Sequence, residues 1–320
     1  MNATTIDVHA HYVPDFYRDA LLAAGHSRPD GIKAIPEWSE KLALESMDRL
    51  GVKTSLLSIS SPGVHFGDPR AAAELARLVN EEGARLTTAH PGRFGFFASL
   101  PLPDVDAAVA ELLYALDELH ADGIVLETNH HGVYLGDERL EPIYAEAARR
   151  NTVVFVHPTT PAEAGHLALG YPRPMLEFMF ETTRSITDLV LSGVLERYPE
   201  LKVIVPHAGA ALPVLAGRIE LLLPLLSTPG GPTPPSVRKA LRQLHFDLAG
   251  APVPELLGAL LEVTDPEHLH YGSDFPFTPL EAAAQLADTL ATTDRLTAPV
   301  RAGMLCGNAQ ALVPRLAITS

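Results

Sequence analysis

Two hydrophobic rhythms alternate along the chain. Short β-branched and aromatic runs recur at Thr4–Val8, Thr54–Ile59, Phe94–Leu100, Gly123–Glu127, Thr152–Val156, Leu201–Val205, Leu244–Leu248 and His268–Gly272, which predicts eight strands. Between them lie Ala-, Leu-, Glu- and Arg-rich stretches, among them Glu40–Leu50, Pro69–Ala89, Val105–Ala121, Leu140–Arg150 and Leu176–Tyr198. Their apolar residues return every three or four positions, the spacing of an amphipathic helix. Gly51, Gly123 and Gly193 fall at or near the predicted turns and helix ends.

Eight alternating βα units in 320 residues predict an α/β protein built as a (β/α)8 TIM barrel. An open doubly wound sheet would carry a glycine-rich phosphate loop after its first strand, where this chain has histidines instead. Residues 12–38, with Pro14, Pro29 and Pro36, break the rhythm and are expected to form an inserted loop or small subdomain over the barrel mouth. The Pro/Gly-rich stretch Thr228–Pro235 is expected to be a surface loop. No linker interrupts residues 1–320, which read as a single domain.

Composition narrows the function classes. With 47% hydrophobic and 20% charged residues the chain can bury a large core and is not a disordered sequence. A net charge of −15 supplies no basic field, so neither nucleic acid nor an anionic membrane is an expected partner. Cys306 is the only cysteine, which excludes an internal disulfide and a thiolate metal site. The first residues lack a basic region followed by an apolar run, and Leu221–Leu226 is far too short to span a bilayer. A soluble cytoplasmic protein is expected.

Candidate chemistry begins at residues 6–11, Ile-Asp-Val-His-Ala-His. Alternate residues of a strand face one side, so His9 and His11 point at a common place. A His-x-His pair alone is a weak signal, because strands carry such pairs by chance. Further metal-competent residues end other predicted strands: His157 strand five, His207 strand six and Asp274 strand eight. The carboxyl ends of barrel strands build the active site, so these five side chains converge on one rim. Any one of them alone reads equally well as a satisfied polar residue. Together they offer a mixed nitrogen and oxygen set that suits Zn²⁺ and also accepts Mn²⁺ or Fe²⁺. His65, in Ser-Pro-Gly-Val-His-Phe-Gly-Asp after strand two, is a candidate for holding substrate or relaying a proton. His130 and His131 follow strand four and are candidates for the pocket wall. His90, His120, His245, His268 and His270 lie away from the strand carboxyl ends and read as structural or exposed.

As an ordered set, several motifs resemble the amidohydrolase superfamily, and within it the aminocarboxymuconate-semialdehyde decarboxylase-like branch. They are the first-strand Asp-x-His-x-His, His157-Pro, Glu181-Thr-Thr with the later Leu195-Glu-Arg-Tyr-Pro, Pro206-His-Ala-Gly, Gly272-Ser-Asp-Phe-Pro-Phe and Gly307-Asn-Ala. Ser60-Ser-Pro-Gly-Val-His-Phe-Gly-Asp and Gly95-Phe-Phe-Ala-Ser-Leu-Pro-Leu-Pro narrow the likeness to the 6-methylsalicylate decarboxylase group. The resemblance implies non-oxidative removal of a ring carboxylate from an ortho-hydroxybenzoate, 6-methylsalicylate or a salicylate-like acid. It implies one divalent metal, zinc with manganese as the alternative, and no organic cofactor.

Carried over residue by residue, it implies metal ligands at His9, His11, His157 and Asp274, and a catalytic histidine at His207. It further implies carboxylate binding by Arg218, in some relatives across a homodimer interface, and ring packing by Phe277. Two-metal superfamily members commonly bridge their ions with a modified lysine after strand four; none of this chain's five lysines lies there, so one metal is expected. Some relatives carry a relay glutamate three residues after the catalytic histidine, where this chain has Ala210, so His207 acts without it or another carboxylate such as Glu181 serves. Some relatives also replace the first histidine by glutamate, whereas this chain keeps both. On this reading Asp274 is both ligand and proton carrier while His207 holds or deprotonates the phenol, although the residues alone leave either as the proton donor. The same ligands would also serve a metal-dependent hydrolase of a lactone or amide, or a metal-binding scaffold without activity.

Overall fold

The computed structural model describes residues 5–226 and 234–317, so the loop expected at Thr228–Pro235 lies outside them except for its last two residues. Eight parallel strands follow one another around the sheet: β1 (Thr5–His11), β2 (Val52–Ser58), β3 (Phe94–Ser99), β4 (Gly123–Glu127), β5 (Val153–His157), β6 (Lys202–Val205), β7 (His245–Asp247) and β8 (Leu269–His270). The ring closes where Val8 N donates to Tyr271 O (3.0 Å) and His11 N to Phe275 O (2.8 Å). The (β/α)8 barrel is therefore the observed fold.

Strand alternation divides the core in two. Ile6, Val8, Leu56, Phe97, Val125, Val153, Phe155 and Ile204 fill the barrel interior, and Leu312, Val313 and Leu316 close its floor. The opposite faces of the strands, with Leu126, Val154 and Val203 among them, pack under the surrounding helices. Those helices include α1 (Asp15–Ala23), α2 (Glu40–Leu50), α3 (Pro69–Ala89), α4 (Val105–Asp117), α5 (Glu141–Arg149), α6 (Glu177–Leu191) and α7 (Leu212–Leu226). Ser39, Asp68 and Asp104 start α2, α3 and α4 by accepting an exposed backbone N–H with their side chains. Where the periodicity predicts one helix over Leu176–Tyr198, Gly193 adopts a left-handed φ of 79° and splits off a short turn, Val194–Arg197.

The first strand runs further than expected, to His11, and it is bulged. From Asp7 to Ala10 β1 advances three residues while β2 advances two, from Ser55 to Leu57. That extra residue shifts the phase of alternation, so Ile6 and Val8 point into the packed interior while His9 and His11 rise into the mouth above it. After β1 the chain forms α1 and a short turn at Pro29–Gly31 before α2 begins. Among the described residues, no helix is long and apolar enough to cross a membrane.

Candidate active site

The bulge leaves the His9 N–H without its ladder partner, and Asp7 supplies one. Asp7 Oδ1 accepts from His9 N (3.0 Å) and Ser273 N (3.1 Å), and Oδ2 from the Ser273 hydroxyl (2.6 Å). One buried carboxylate thus ties β1 to the segment after β8, and Asp274 N completes the seam by donating to His9 O (2.7 Å). The same seam delivers three of the predicted metal ligands, His9, His11 and Asp274, to one spot.

Both imidazoles are fully buried and anchored at their outer nitrogens. His9 Nδ1 donates to Asp247 Oδ2 (2.9 Å), and His11 Nδ1 donates to the carbonyl of Ser58 (3.1 Å). Their Nε2 atoms meet 3.1 Å apart, with Asp274 Oδ1 3.5 Å from one and 3.2 Å from the other. His157 joins from β5, so that one donor atom from each of His9, His11, His157 and Asp274 lies within 4.8 Å of the others. With both outer nitrogens donating, the inner nitrogens and the carboxylate oxygen are all acceptors aimed at one point. Acceptors cannot bond to one another, so the arrangement calls for a cation, either a proton or a metal ion. Three nitrogens and one oxygen fit a divalent ion well, and the Asp247 and Ser58 contacts are the outer-shell anchors such ligands need.

Electrostatics agree with that reading. Burial pushes His9 down, but the charge and hydrogen bond of Asp247, with Asp274 and Asp7, outweigh it and carry His9 up to about 9. Burial holds His11 and His207 below the ordinary imidazole value and His157 well below it. Burial also opposes ionisation of Asp274, yet the His11 hydrogen bond and the nearby imidazoles hold it below the usual carboxylate range. In the metal-free chain the one proton therefore sits on His9.

His157, His207, Asp274, Phe277 and Thr278 share a cavity of about 430 Å³ whose lining also includes Ser60 and the apolar Ile32, Met175, Phe178, Met179 and Leu256. The segment after β1 reaches this lining through Asp30 and Ile32. His207 and Asp274 both hold left-handed backbone, φ 54° and 56°, as do Ala208 and Ala210. Such strain in non-glycine residues concentrates where side chains must be aimed. Asp247 helps to aim His207, its Oδ1 accepting from His207 N (3.1 Å). Thr278 donates to Asp274 Oδ2 (3.0 Å), leaving Oδ1 for the cluster.

The remaining predicted residues are distributed more widely. Phe277 packs edge-on against His11, with ring centroids 5.4 Å apart. His65 lines a second cavity of about 400 Å³ on the same face, with His130, His131 and Glu127, and not the one that holds the cluster. Arg218 stands exposed on α7 and lines neither cavity. Glu181 is committed elsewhere, bonded to Asn129 (3.0 Å), Tyr134 (3.0 Å) and Arg184; Asp247 holds the His207 backbone N–H, while the His207 ring Nδ1 is buried without a hydrogen-bond partner among the described residues. Asp247, Ser58 and Glu127 were not singled out from the sequence. The available signal for Asp247 was an acidic residue near the carboxyl end of predicted strand seven.

A closed parallel barrel with a buried His/Asp cluster at its carboxyl mouth defines a barrel protein equipped for metal chemistry. The chain belongs to the amidohydrolase family, whose model matches residues 6–315. It is 40% identical to a 6-methylsalicylic acid decarboxylase of Aspergillus aculeatus, across 97% of this chain and 96% of that protein. A crystal structure of an amidohydrolase II superposes with a TM-score of 0.91 at 36% identity, covering 97% of this chain and 100% of the other. A manganese-bound dihydroxybenzoic acid decarboxylase of a Polaromonas species shares the fold at a TM-score of 0.82 and 24% identity, covering 98% and 97% of the two chains.

Proposed function

We propose that this protein is a metal-dependent, non-oxidative decarboxylase of ortho-hydroxybenzoates, with 6-methylsalicylate or a salicylate-like acid as substrate. The observation that carries the reading is the cavity, which brings His157, Asp274 and His207 together with apolar side chains around a volume of about 430 Å³, room for an aromatic ring. The near full-length likeness to a 6-methylsalicylic acid decarboxylase supports the same substrate class.

His9, His11, His157 and Asp274 would hold one divalent ion, zinc by its donor set with manganese competing. When bound, that ion supplies positive charge to the carboxylate and phenolic oxygens, orienting the ring and holding charge that develops on it. Phe277 packs the ring. His207, kept neutral by burial, accepts the phenolic proton and delivers it to the ring carbon that bears the carboxylate. The bond from that carbon to the carboxylate then breaks, CO₂ leaves, and its electron pair restores the aromatic ring as a phenolate, which takes a proton from solvent. Asp274, whose carboxyl the His11 hydrogen bond and the nearby imidazoles hold below the usual carboxylate range, serves as a ligand in this scheme.

Among the described residues no lysine or arginine lines the cavity, so they give the substrate carboxylate no counter-charge beyond the cluster. Arg218 lies on a face of α7 with Val214, Leu221 and Leu225, which are 63%, 69% and 73% exposed. A contiguous apolar face of this kind suits a protein interface. We infer a homodimer built on this face, with Arg218 serving the substrate carboxylate of the partner subunit.

Incubating metal-loaded protein with 6-methylsalicylate and salicylate tests the function. Stoichiometric CO₂ with 3-methylphenol or phenol is expected. Turnover of lactones or amides without CO₂ release would overturn the proposal.

A further inference from the structure

β4 ends on Glu127 and β5 on His157, and the parallel register sets these two residues side by side. Their side chains consequently emerge together at the barrel mouth. Glu127 is buried, and its Oε2 is enclosed with no hydrogen-bond partner. His157 Nδ1 is equally enclosed and equally unpartnered. The two orphan atoms face each other at 3.6 Å, just beyond hydrogen-bonding distance. His157's other nitrogen, Nε2, lies 3.5 Å from the Ser60 hydroxyl.

The other two imidazoles of the cluster show what is missing. Each has its outer nitrogen fixed by a protein oxygen, His9 by Asp247 and His11 by Ser58. A ring so held has one tautomer and one orientation, and its second nitrogen presents a lone pair inward. We propose that Glu127 is the positioning residue of His157: one of its carboxyl oxygens accepts the Nδ1 hydrogen and turns the Nε2 lone pair toward the cluster. Closing the gap takes a movement of under about 1 Å by two side chains, and it satisfies two buried polar atoms at once. On its far side the carboxyl lies against Gly63, where a β-carbon would sit 3.5 Å from Oε1. The carboxyl thus lies between His157 and the second cavity, whose wall it shares with His65 and His130.

This inference rests on the reading of the cluster as a metal site, and the test separates the two. Metal-free wild type, Glu127→Met and Glu127→Gln are titrated with Co²⁺, with affinity from chelator competition and ligand geometry from the visible spectrum. Methionine keeps the volume but accepts no such bond, so Glu127→Met should bind Co²⁺ about 10- to 100-fold more weakly, with an altered spectrum. The amide oxygen of Glu127→Gln still accepts, so it should stay within about threefold of wild type and keep the wild-type spectrum. Wild-type affinity in Glu127→Met, or equal losses in both variants, overturns the proposal. So does a wild type that binds two ions and a Glu127→Met that binds one, since Glu127 would then be a ligand itself. A wild type that binds no metal overturns the metal-site reading and this inference with it.

Discussion

Metal binding should expel one proton, and that proton should come from His9. In the metal-free chain His9 is carried up to about 9, while burial keeps His11, His157 and His207 neutral and Asp274 is ionised. At pH 8 a group with that pKa is about nine-tenths protonated, so a divalent ion that takes the His9 nitrogen releases about 0.9 proton. Below pH 9 the apparent affinity should rise about tenfold per pH unit, and above it should level off. At pH 7, two units below the pKa, the proton costs about 3 kcal/mol of binding energy, or roughly a hundredfold in affinity. Isothermal titration in buffers of different ionisation enthalpy reads the proton count directly. Asp247→Asn removes the charge that outweighs burial at His9, so its proton release at pH 8 should fall toward zero. Affinity in that variant should also fall, because His9 loses its anchor. A wild type that releases no proton, or an Asp247→Asn variant that releases the same number, refutes the reasoning.

Other expectations follow from the same geometry. In His207→Asn, chosen because asparagine tolerates the left-handed backbone at this position, kcat should drop about 10²- to 10⁴-fold with metal content unchanged; near wild-type turnover would remove His207 from the chemistry. Mixing inactive Arg218→Ala with inactive His207→Asn should restore about a quarter of wild-type activity, because half the dimers are mixed and each has one intact site. No recovery after subunit exchange would place Arg218 outside the partner's cavity. His9 also predicts a pH trend in the metal-free protein, since its folded pKa of about 9 lies above the ordinary imidazole value of 6.5. Its stabilising contribution is complete below pH 6.5 and lost as pH rises through 9, so the unfolding midpoint should fall between pH 7.5 and 9.5, by an energy of about 3 kcal/mol at most. A flat midpoint over that range would contradict the assigned proton. Finally, Gly123→Ala should cost about 1–3 kcal/mol in denaturant unfolding, because the new methyl would collide with the Val153 carbonyl inside the β4–β5 pairing; an unchanged midpoint would show that the pairing yields freely.

Much of the fold was legible because barrels repeat. Eight β-branched runs, each followed by a helical rhythm, leave few other architectures, and His157, His207 and Asp274 are recognisable by falling at strand carboxyl ends. What periodicity does not carry is a contact between residues distant in sequence. Asp247 lies 238 positions from the His9 ring it holds, and nothing local distinguishes it from any other acidic residue beside a strand. Arg218 shows the converse limit, since a helix that faces outward in one chain gives no sign of what a second chain would bring to it.

The first strand shows why even a correct local reading can have an incomplete cause. Alternation correctly places His9 and His11 on one side, but unbroken alternation would place Val8 opposite His9. Val8 in fact belongs to the interior cluster, and His9 packs edge-on against interior Phe155. Both can face inward only because the bulge inserts a residue between Asp7 and Ala10. A bulge strands a backbone N–H, and a buried stranded donor is costly, so the phase shift survives only with a local acceptor. Asp7 is that acceptor, and the same carboxylate binds Ser273 beside Asp274. The Asp of Asp-x-His-x-His is thus as necessary to the arrangement as the two histidines: it permits the fault in the strand that turns them inward, and it draws the aspartate from the far end of the chain to meet them.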